Sequence, residues 1–290
     1  MLVAPKYRCF SEGNWSLAVL PERWNQELRD RVLSLVEQQC ISKHPQTLKL
    51  RYPDREGGDC LFLKIFHRAR RLRLFKDVFR QSKAVRSLRQ GLALTEAGFN
   101  VPTTVAAGEL RSFALLERAF FLTLAVDAQP APQFLRDRQR VKAGNISLID
   151  KRGALRQLAE QIRRLHRLGF VHGDLVPTNI LVSDVEGGGF RFVLIDNDRT
   201  RRYPCWVPQS LWKRNLVQLN RFPLPGISLQ DRMRFFRAYV GGGSRKRQTR
   251  LLLRWLEKKT RQRRKECDAV DPTGSFRQLM RWQGEPSAKN

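Results

Sequence analysis

Residues 171–200 constrain this chain more than any other segment, because they set three polar side chains around two apolar strands. The segment reads VHGDLVPTNILVSDVEGGGFRFVLIDNDRT. Asp174 stands five residues before Asn179, which leads into the first strand, and Asp196 ends the second strand after a Gly-rich turn. Carboxylate and amide oxygens are hard ligands of the kind that Mg²⁺ binds. A β-hairpin with acidic ends is the alternative, and three metal-competent positions in this order argue against it.

This arrangement resembles the catalytic segment of the protein-kinase-like superfamily. His172-Gly173-Asp174 stands where protein kinases have His-Arg-Asp, and Asp196-Asn197-Asp198 stands where they have Asp-Phe-Gly. In those enzymes the loop aspartate orients the attacking hydroxyl, while the asparagine and the later aspartate hold the metal. The resemblance therefore implies ATP and Mg²⁺ as cofactors.

A small β-rich lobe is predicted ahead of this segment. Residues 47–52 and 60–66 indicate two strands around the turn PDREGGD. Lys64 lies in the second strand, and alternation places it on the same face as Phe62 and Phe66. A lysine in such an apolar strand needs a partner for its charge, unless it reaches solvent from an edge strand. In the kinase order, Lys64 is the lysine that binds the ATP phosphates.

Apolar periodicity predicts the helices and the remaining strands. Residues 21–39, 81–97 and 151–168 carry apolar side chains at helical spacing, and Gly98 and Gly169 end the last two of these helices. Short strands are predicted at 103–107 and 113–116. Beyond Asp196 the pattern indicates helices alone, with one capped by Ser228 and a strongly basic one over residues 244–266.

This order of elements predicts an α+β, protein-kinase-like fold with two lobes. The N-terminal lobe is a small antiparallel β-sheet with one main helix and a helical extension, and the C-terminal lobe is larger and mainly helical. We place the boundary near residue 119, which gives lobes of 1–119 and 120–290. In the kinase order, Glu117 and Ala119 form the hinge whose backbone meets the adenine.

Within the superfamily, the chain resembles the bacterial lipopolysaccharide kinases that phosphorylate Kdo or heptose. Their motif of His-x-Asp-Leu-x-x-x-Asn-Ile-Leu followed by Leu-Ile-Asp-x-Asp-Arg is similar to HGDLVPTNIL and LIDNDR here. The resemblance implies that Asp174 deprotonates the sugar hydroxyl, that Asn179 and Asp196 hold Mg²⁺, and that Lys64 binds ATP. It gives Asp198 and Arg199 a structural role. His172 is expected to fix the loop by hydrogen bonding.

Two departures from the kinase pattern stand out. No G-x-G-x-x-G precedes Lys64, and Gly57 and Gly58 are a partial substitute. Counting back from Gly98, the glutamate that pairs with the lysine in the family is replaced by Ser87. Three explanations stay open: the alignment slips, another acid such as Asp77 replaces the glutamate, or the nucleotide site is weakened.

The charge indicates the kind of surface that the protein meets. The 290 residues include 55 Lys and Arg against 27 acids, a formal net charge of +28. Such an excess attracts polyanions. A kinase acting on the lipopolysaccharide core oligosaccharide of lipid A would sit on anionic membrane, which predicts a cytoplasmic protein held peripherally at the inner membrane. No RNA-reading motif is present, so the sequence does not favour nucleic acid. The five cysteines have no C-x-x-C spacing, which argues against zinc and a disulfide framework.

Two other functions remain open at this point. Aminoglycoside and choline kinases also carry HGDLxPxN, so a small-molecule or protein kinase of the same fold fits the catalytic segment. A catalytically weak kinase-like module that binds an anionic partner fits the absence of glutamate at Ser87.

Overall fold

The computed structural model describes most of the chain between residues 6 and 270. The described ranges are 6–39, 46–53, 58–67, 81–112, 115–140, 147–186, 188–204, 206, 210–221, 224, 227–242 and 246–270, with side chains left undescribed at 136–140, 147–149 and 267–270. The chain divides into two compact units. Unit 1 is Met1–Asp127 with Asp196–Arg199, and unit 2 is Ala128–Ile195 with Thr200–Asn290.

Unit 1 is built on one antiparallel sheet. Its strands and helices are β1 (Arg8–Glu12), β2 (Trp15–Val19), α1 (Gln26–Gln38), β3 (Gln46–Tyr52), β4 (Asp59–His67), α2 (Lys83–Glu96), β5 (Thr104–Ser112) and β6 (Leu115–Leu124). The strand order across the sheet is β1-β2-β5-β6-β4-β3, and every neighbouring pair is antiparallel. The predicted α+β, kinase-like fold class is confirmed.

The two helices of unit 1 pack against opposite faces of this sheet. Helix α1 begins at Asn25, whose side chain accepts a hydrogen bond from the N–H of Leu28, and it buries Leu28, Val32 and Val36. These side chains pack with Leu61, Leu63 and Ile65 of β4. Phe66 points to the other face and packs with Leu88 of α2. Lys64 therefore lies on the α2 side of the sheet, as alternation predicts.

The predicted hinge at residues 117–119 is in the wrong place. These residues lie inside β6, where Ala119 is fully buried and pairs with Phe66 on one side and Glu109 on the other. Glu117 sits at the register shift between β5 and β6. The apolar run that follows extends the strand to Leu124, because it fills both faces of the sheet. The predicted boundary near residue 119 thus falls within a strand.

Unit 2 is mainly helical. Its elements are β7 (Gln129–Pro130), α3 (Ala131–Arg140), α4 (Ser147–Arg167), β8 (Phe170–Val171), β9 (Ile180–Asp184), β10 (Phe190–Leu194), β11 (Arg201–Arg202), α5 (Ser210–Leu219), α6 (Leu229–Val240) and α7 (Lys246–Val270). Strands β10, β9 and β7 form one small sheet, and β11 pairs with β8. The predicted cap of α6 is confirmed: Ser228 and Asp231 form a reciprocal capping box. Within the described residues, no helix is long and apolar enough to cross a membrane.

The turn after α4 delivers the chain to the catalytic segment. Gly169 adopts a positive φ of 82°, and a Cβ at this position would overlap the carbonyl oxygen of Tyr203. Only glycine accepts both conditions without strain. The N–H of Tyr203 donates to the carbonyl of Gly169 at 2.8 Å, which fixes the start of β8 immediately before His172.

Candidate active site

Buried apolar residues anchor the catalytic segment on both sides of Asp174. Phe170, Leu175 and Ile180 are fully buried, whereas Asp174 and Asn179 between them are partly exposed. The loop thus has a fixed base in the core of unit 2 and two polar side chains that reach the surface of that unit.

His172 ties the loop together by using both of its ring nitrogens. Its side chain is fully buried. Nε2 lies 3.1 Å from the carbonyl oxygen of Ile195, and Nδ1 accepts a hydrogen bond from the N–H of Asp174 at 3.2 Å. The neutral ring with its proton on Nε2 satisfies both contacts. The structural role predicted for His172 is confirmed, because neither nitrogen is left over to act as a base.

Asn179 closes the other side of the loop. Its side-chain NH₂ donates to the carbonyl of Asp174 at 2.9 Å, so its amide oxygen stays available for a cation. The backbone carbonyl of Asn179 accepts from the N–H of Ile195 at 3.0 Å. Asp174 is therefore held through its N–H by His172 and through its carbonyl by Asn179.

Two amide side chains of α5 form hydrogen bonds with the backbone of the same loop. Asn215 accepts from the N–H of His172 at 3.0 Å and donates to the carbonyl of His172. Gln218 accepts from the N–H of Leu175 at 3.2 Å and donates to the carbonyl of Gly173 at 3.1 Å. The two amides also bond each other at 3.0 Å. Sequence reasoning missed both, although amides three residues apart beside the apolar Leu216 and Leu219 were a usable signal.

His166 of α4 connects this pair of amides to a tyrosine hydroxyl through its two ring nitrogens. Its Nε2 lies 3.1 Å from the side-chain oxygen of Asn215, and its Nδ1 lies 2.9 Å from the hydroxyl of Tyr239. Burial lowers the pKa of His166 to about 4, although the hydrogen bond with Asn215 acts in the opposite direction. Burial also raises the pKa of the Tyr239 hydroxyl, which therefore stays protonated and donates to His166. His166 is neutral at physiological pH.

Lys64 meets Asp196 within unit 1. The Nζ of Lys64 lies 2.5 Å from a carboxylate oxygen of Asp196, and the two side chains are 31% and 42% exposed. Asp196 has a positive φ of 63°, which is uncommon for a residue other than glycine and which aspartate tolerates better than most. The carboxylate of Asp196 therefore neutralises the charge of Lys64. Asp77, one of the earlier candidates, lies outside the described residues.

Helix α2 reaches the turn after Asp196 by a different ion pair from the expected one. Arg86 of α2 lies 4.0 Å from Asp198, whose side chain is 13% exposed. This contact supports a structural role for Asp198. Ser87, at the position where the kinase pattern has glutamate, is buried on α2. Gln90, one turn further along, is partly buried.

The donor set suits Mg²⁺ in its chemistry. Asp196 in unit 1 has a carboxylate and Asn179 in unit 2 has an amide oxygen, and each is an oxygen ligand of the kind that Mg²⁺ accepts. Within the described residues, no three His, Cys, Asp or Glu side chains cluster as an all-protein metal site does.

A separate apolar cavity of about 520 Å³ lies within unit 2. Its walls include Leu216, Met233, Phe236 and Leu256, and arginines are also among its lining residues, namely Arg232, Arg261 and Arg264. Burial lowers the pKa of Arg232. Asp231 and Glu257 also line it, so the cavity is mainly apolar with charged groups of both signs in its lining.

Comparisons with known proteins find matches to both the sequence and the fold. The sequence profile of the Lipopolysaccharide kinase (Kdo/WaaP) family matches residues 45–239. The solved structure of "WaaP in complex with acyl carrier protein" has the same fold, with a TM-score of 0.59 and 23% sequence identity over 88% of this chain and 99% of that chain. No individual curated protein sequence matches the chain.

The fold and the HGD loop define a protein-kinase-like phosphotransferase. The chain belongs to the lipopolysaccharide kinase (Kdo/WaaP) family, whose profile covers about two thirds of its length. It is therefore a kinase, and ATP is the phosphoryl donor that a kinase family implies.

The low pKa of His166 predicts that the free energy of unfolding decreases at acidic pH. Because the folded pKa of about 4 lies below the ordinary histidine pKa of 6.5, the unfolded chain binds this proton more readily between those values. This contribution to the free energy of unfolding is complete above pH 6.5 and is lost as pH falls towards 4, by at most about 3 kcal/mol. Urea unfolding across this range should show a shallower pH dependence in His166→Gln. An unchanged dependence in the variant would contradict the assignment.

The hydrogen bonds from α5 to the loop predict that Gln218 contributes to kcat. Gln218→Ala removes two bonds to the loop backbone and should lower kcat about 10-fold or more, because small misplacements of a catalytic group are costly. Gln157→Ala is the matched control, since Gln157 accepts from the N–H of Phe190 at 3.1 Å, away from the loop. We expect this control to keep its kcat. Equal kcat in both variants would show that Gln218 has no positioning role.

Proposed function

We propose that this kinase transfers the γ-phosphate of ATP, bound with Mg²⁺, to a hydroxyl of a heptose or Kdo sugar in the lipopolysaccharide core. The observation that carries the proposal is the ion pair between Lys64 and Asp196. These residues are 132 positions apart, and the motif independently assigned them to the ATP phosphates and to the metal. A phosphate-binding lysine next to a metal carboxylate is what phosphoryl transfer requires.

Each residue of the loop has a separate task in this proposal. Asp174 orients the sugar hydroxyl and accepts its proton, since both backbone groups of Asp174 are already engaged and its carboxylate is partly exposed. Lys64 binds the phosphates when nucleotide replaces its bond to Asp196. The oxygens of Asp196 and Asn179 would hold Mg²⁺, whose charge would offset that of the phosphates. Adenine recognition by Glu117 and Ala119 is not part of the proposal, because Ala119 is committed to the ladder of β6.

The alternatives from the sequence are weaker after the comparisons. Membership of the lipopolysaccharide kinase family favours a core sugar over a small molecule or a protein as acceptor. A catalytically weak module would follow if Lys64 had lost its partner along with the family's glutamate. The pair with Asp196 removes that argument. We propose that the reaction takes place at the cytoplasmic face of the inner membrane, since the proposed acceptor is carried on lipid A.

Removal of the two carboxylates tests the mechanism. Asp174→Asn and Asp196→Ala should each lower transfer to a phosphate-free lipopolysaccharide core by about 10²-fold or more, because each removes stabilisation of the transition state. Asp184→Asn is the control, since Asp184 is an exposed carboxylate at the end of β9. Near-normal turnover in both site variants would refute the mechanism. Transfer to a protein in preference to the core would refute the acceptor.

We also propose that an acyl carrier protein is a partner, with its acyl chain in the apolar cavity of unit 2. The similar solved structure is a complex with acyl carrier protein. The cavity of about 520 Å³ has the apolar walls that an acyl chain needs. Burial of methylene groups supplies the affinity, at about 0.8 kcal/mol for each.

Filling the cavity tests this partner. The parent protein should bind acyl carrier protein at least about 10-fold more tightly with a long acyl chain than without one. Met233→Trp should abolish that difference by occupying the cavity, whereas Met233→Leu, which nearly conserves volume, should keep it. Calorimetric titration measures both. Equal affinity of the parent for the acylated and unacylated carrier would contradict the proposal.

A further inference from the structure

Helix α7 presents a straight row of basic side chains to solvent. At 100° per residue, six Lys and Arg positions fall within an arc of about 80°, and they extend over about 27 Å of helix. All six side chains are exposed. We call this set the α7 stripe: Arg247, Arg250, Arg254, Lys258, Arg261 and Lys265.

The other side of α7 holds the helix in place. Leu256 and Thr260 are buried, and Arg264 donates to the backbone carbonyls of Asn220 and Arg221 at 2.8 and 2.9 Å. Helix α7 packs on α5 through this side. The side chains of the α7 stripe are exposed on the other side of the helix.

The charge of the stripe is largely uncompensated. Within the described residues, Arg261 is the stripe member that forms an ion pair, with Glu257 at 2.5 Å. Both partners are well exposed, so water screens the pair. Like charges three and four positions apart on a helix repel one another. The stripe therefore makes the isolated helix less stable, and a polyanion that neutralises it would relieve this cost.

The shape of the stripe selects the kind of polyanion. Side chains that leave a straight helix within a narrow arc all meet a plane at once. An exposed leucine, Leu251, lies beside the arc and is 56% exposed. A cluster of about four to eight Lys and Arg on one face of a helix is the pattern that anionic lipid surfaces attract. Curved and compact polyanions would contact part of the row at a time.

We infer that the α7 stripe docks this kinase on an anionic phospholipid surface. The inference deepens the proposed function, since the proposed acceptor is carried on lipid A, but the lipid contact does not depend on catalysis. Each basic residue near an anionic surface strengthens binding about fivefold. The attraction is long-range and is screened beyond about 8 Å at physiological salt. The stripe thus also orients the protein before contact.

Removal of three stripe charges tests the inference in the full-length protein. The variant Arg247→Gln, Arg254→Gln, Lys258→Gln leaves out Arg261, which lines the apolar cavity, and changes exposed positions alone. It should sediment about 100-fold more weakly with vesicles of phosphatidylcholine and phosphatidylglycerol. A matched control, Arg8→Gln, Lys49→Gln, Arg51→Gln, removes the same charge from exposed positions of unit 1. It should lose less than about threefold.

Four results would overturn the inference. Equal losses in both triple variants would show that net charge, not the stripe, drives binding. Retained vesicle binding in the stripe variant would exclude the stripe. Binding to pure phosphatidylcholine as tight as to the mixed vesicles would exclude an electrostatic contact. Stripe-dependent binding to a short RNA or to acyl carrier protein, with vesicle binding unaffected, would assign the stripe to that partner.

Catalysis is measured separately so that the two proposals fail independently. The stripe variant should retain parental kcat on a detergent-dispersed lipopolysaccharide acceptor and lose activity when the acceptor is embedded in anionic vesicles. Loss on both acceptors, with an unchanged melting temperature, would place the stripe in the catalytic machinery and overturn the docking role. If the parent itself is inactive but binds vesicles through the stripe, the proposed function fails and the docking surface stands.

Discussion

The hydrogen bonds from Asn215 and Gln218 to the backbone of residues 172–175 are the interaction on which the catalytic segment depends. A loop between two short strands has few backbone partners of its own, so its polar groups must be satisfied by side chains. Helix α5 supplies these bonds, and His166 of α4 with Tyr239 of α6 fixes the orientation of Asn215. Side chains from three helices of unit 2 therefore set the conformation of the loop. His172 connects Asp174 to Ile195, the residue before Asp196.

The partner of Lys64 illustrates how a family pattern survives the loss of one residue. A serine on α2 cannot neutralise a lysine, yet Lys64 remains paired because Asp196 reaches it directly. Helix α2 keeps its link to the segment after Asp196 through Arg86 and Asp198, with the positive charge now on the helix. The left-handed backbone at Asp196 turns the carboxylate out of the strand direction, and a local strain of this kind is common where a functional group must be aimed.

The basic residues have distinct roles in the structure. Lys151 and Arg234 hold the buried Asp231 at the start of α6, where hydrogen bonds from Lys151 and Ser228 outweigh burial and lower the pKa of the carboxyl. Arg264 caps backbone carbonyls after α5. The α7 stripe, by contrast, contributes nothing to the core and carries its charge to solvent. A single helix thus combines a packed face with a face suited to an anionic surface.

The sequence by itself determined the helix ends at Gly98 and Gly169 and singled out Lys64 and the three polar positions Asp174, Asn179 and Asp196, but it missed β1, β2 and α3, and its prediction of helices alone beyond Asp196 is wrong at β11. The features that it determined follow from local rules: period, turn chemistry and motif spacing act within about twenty residues. Only the tertiary structure decided that Lys64 pairs with Asp196, that residues 117–119 belong to β6 rather than to a hinge, and that Asn215 and Gln218 hold the loop. Each of these outcomes joins residues that are distant in sequence, or depends on which face of a sheet is buried. Such choices are settled by packing and by the need to satisfy buried polar groups, and neither has a local signature.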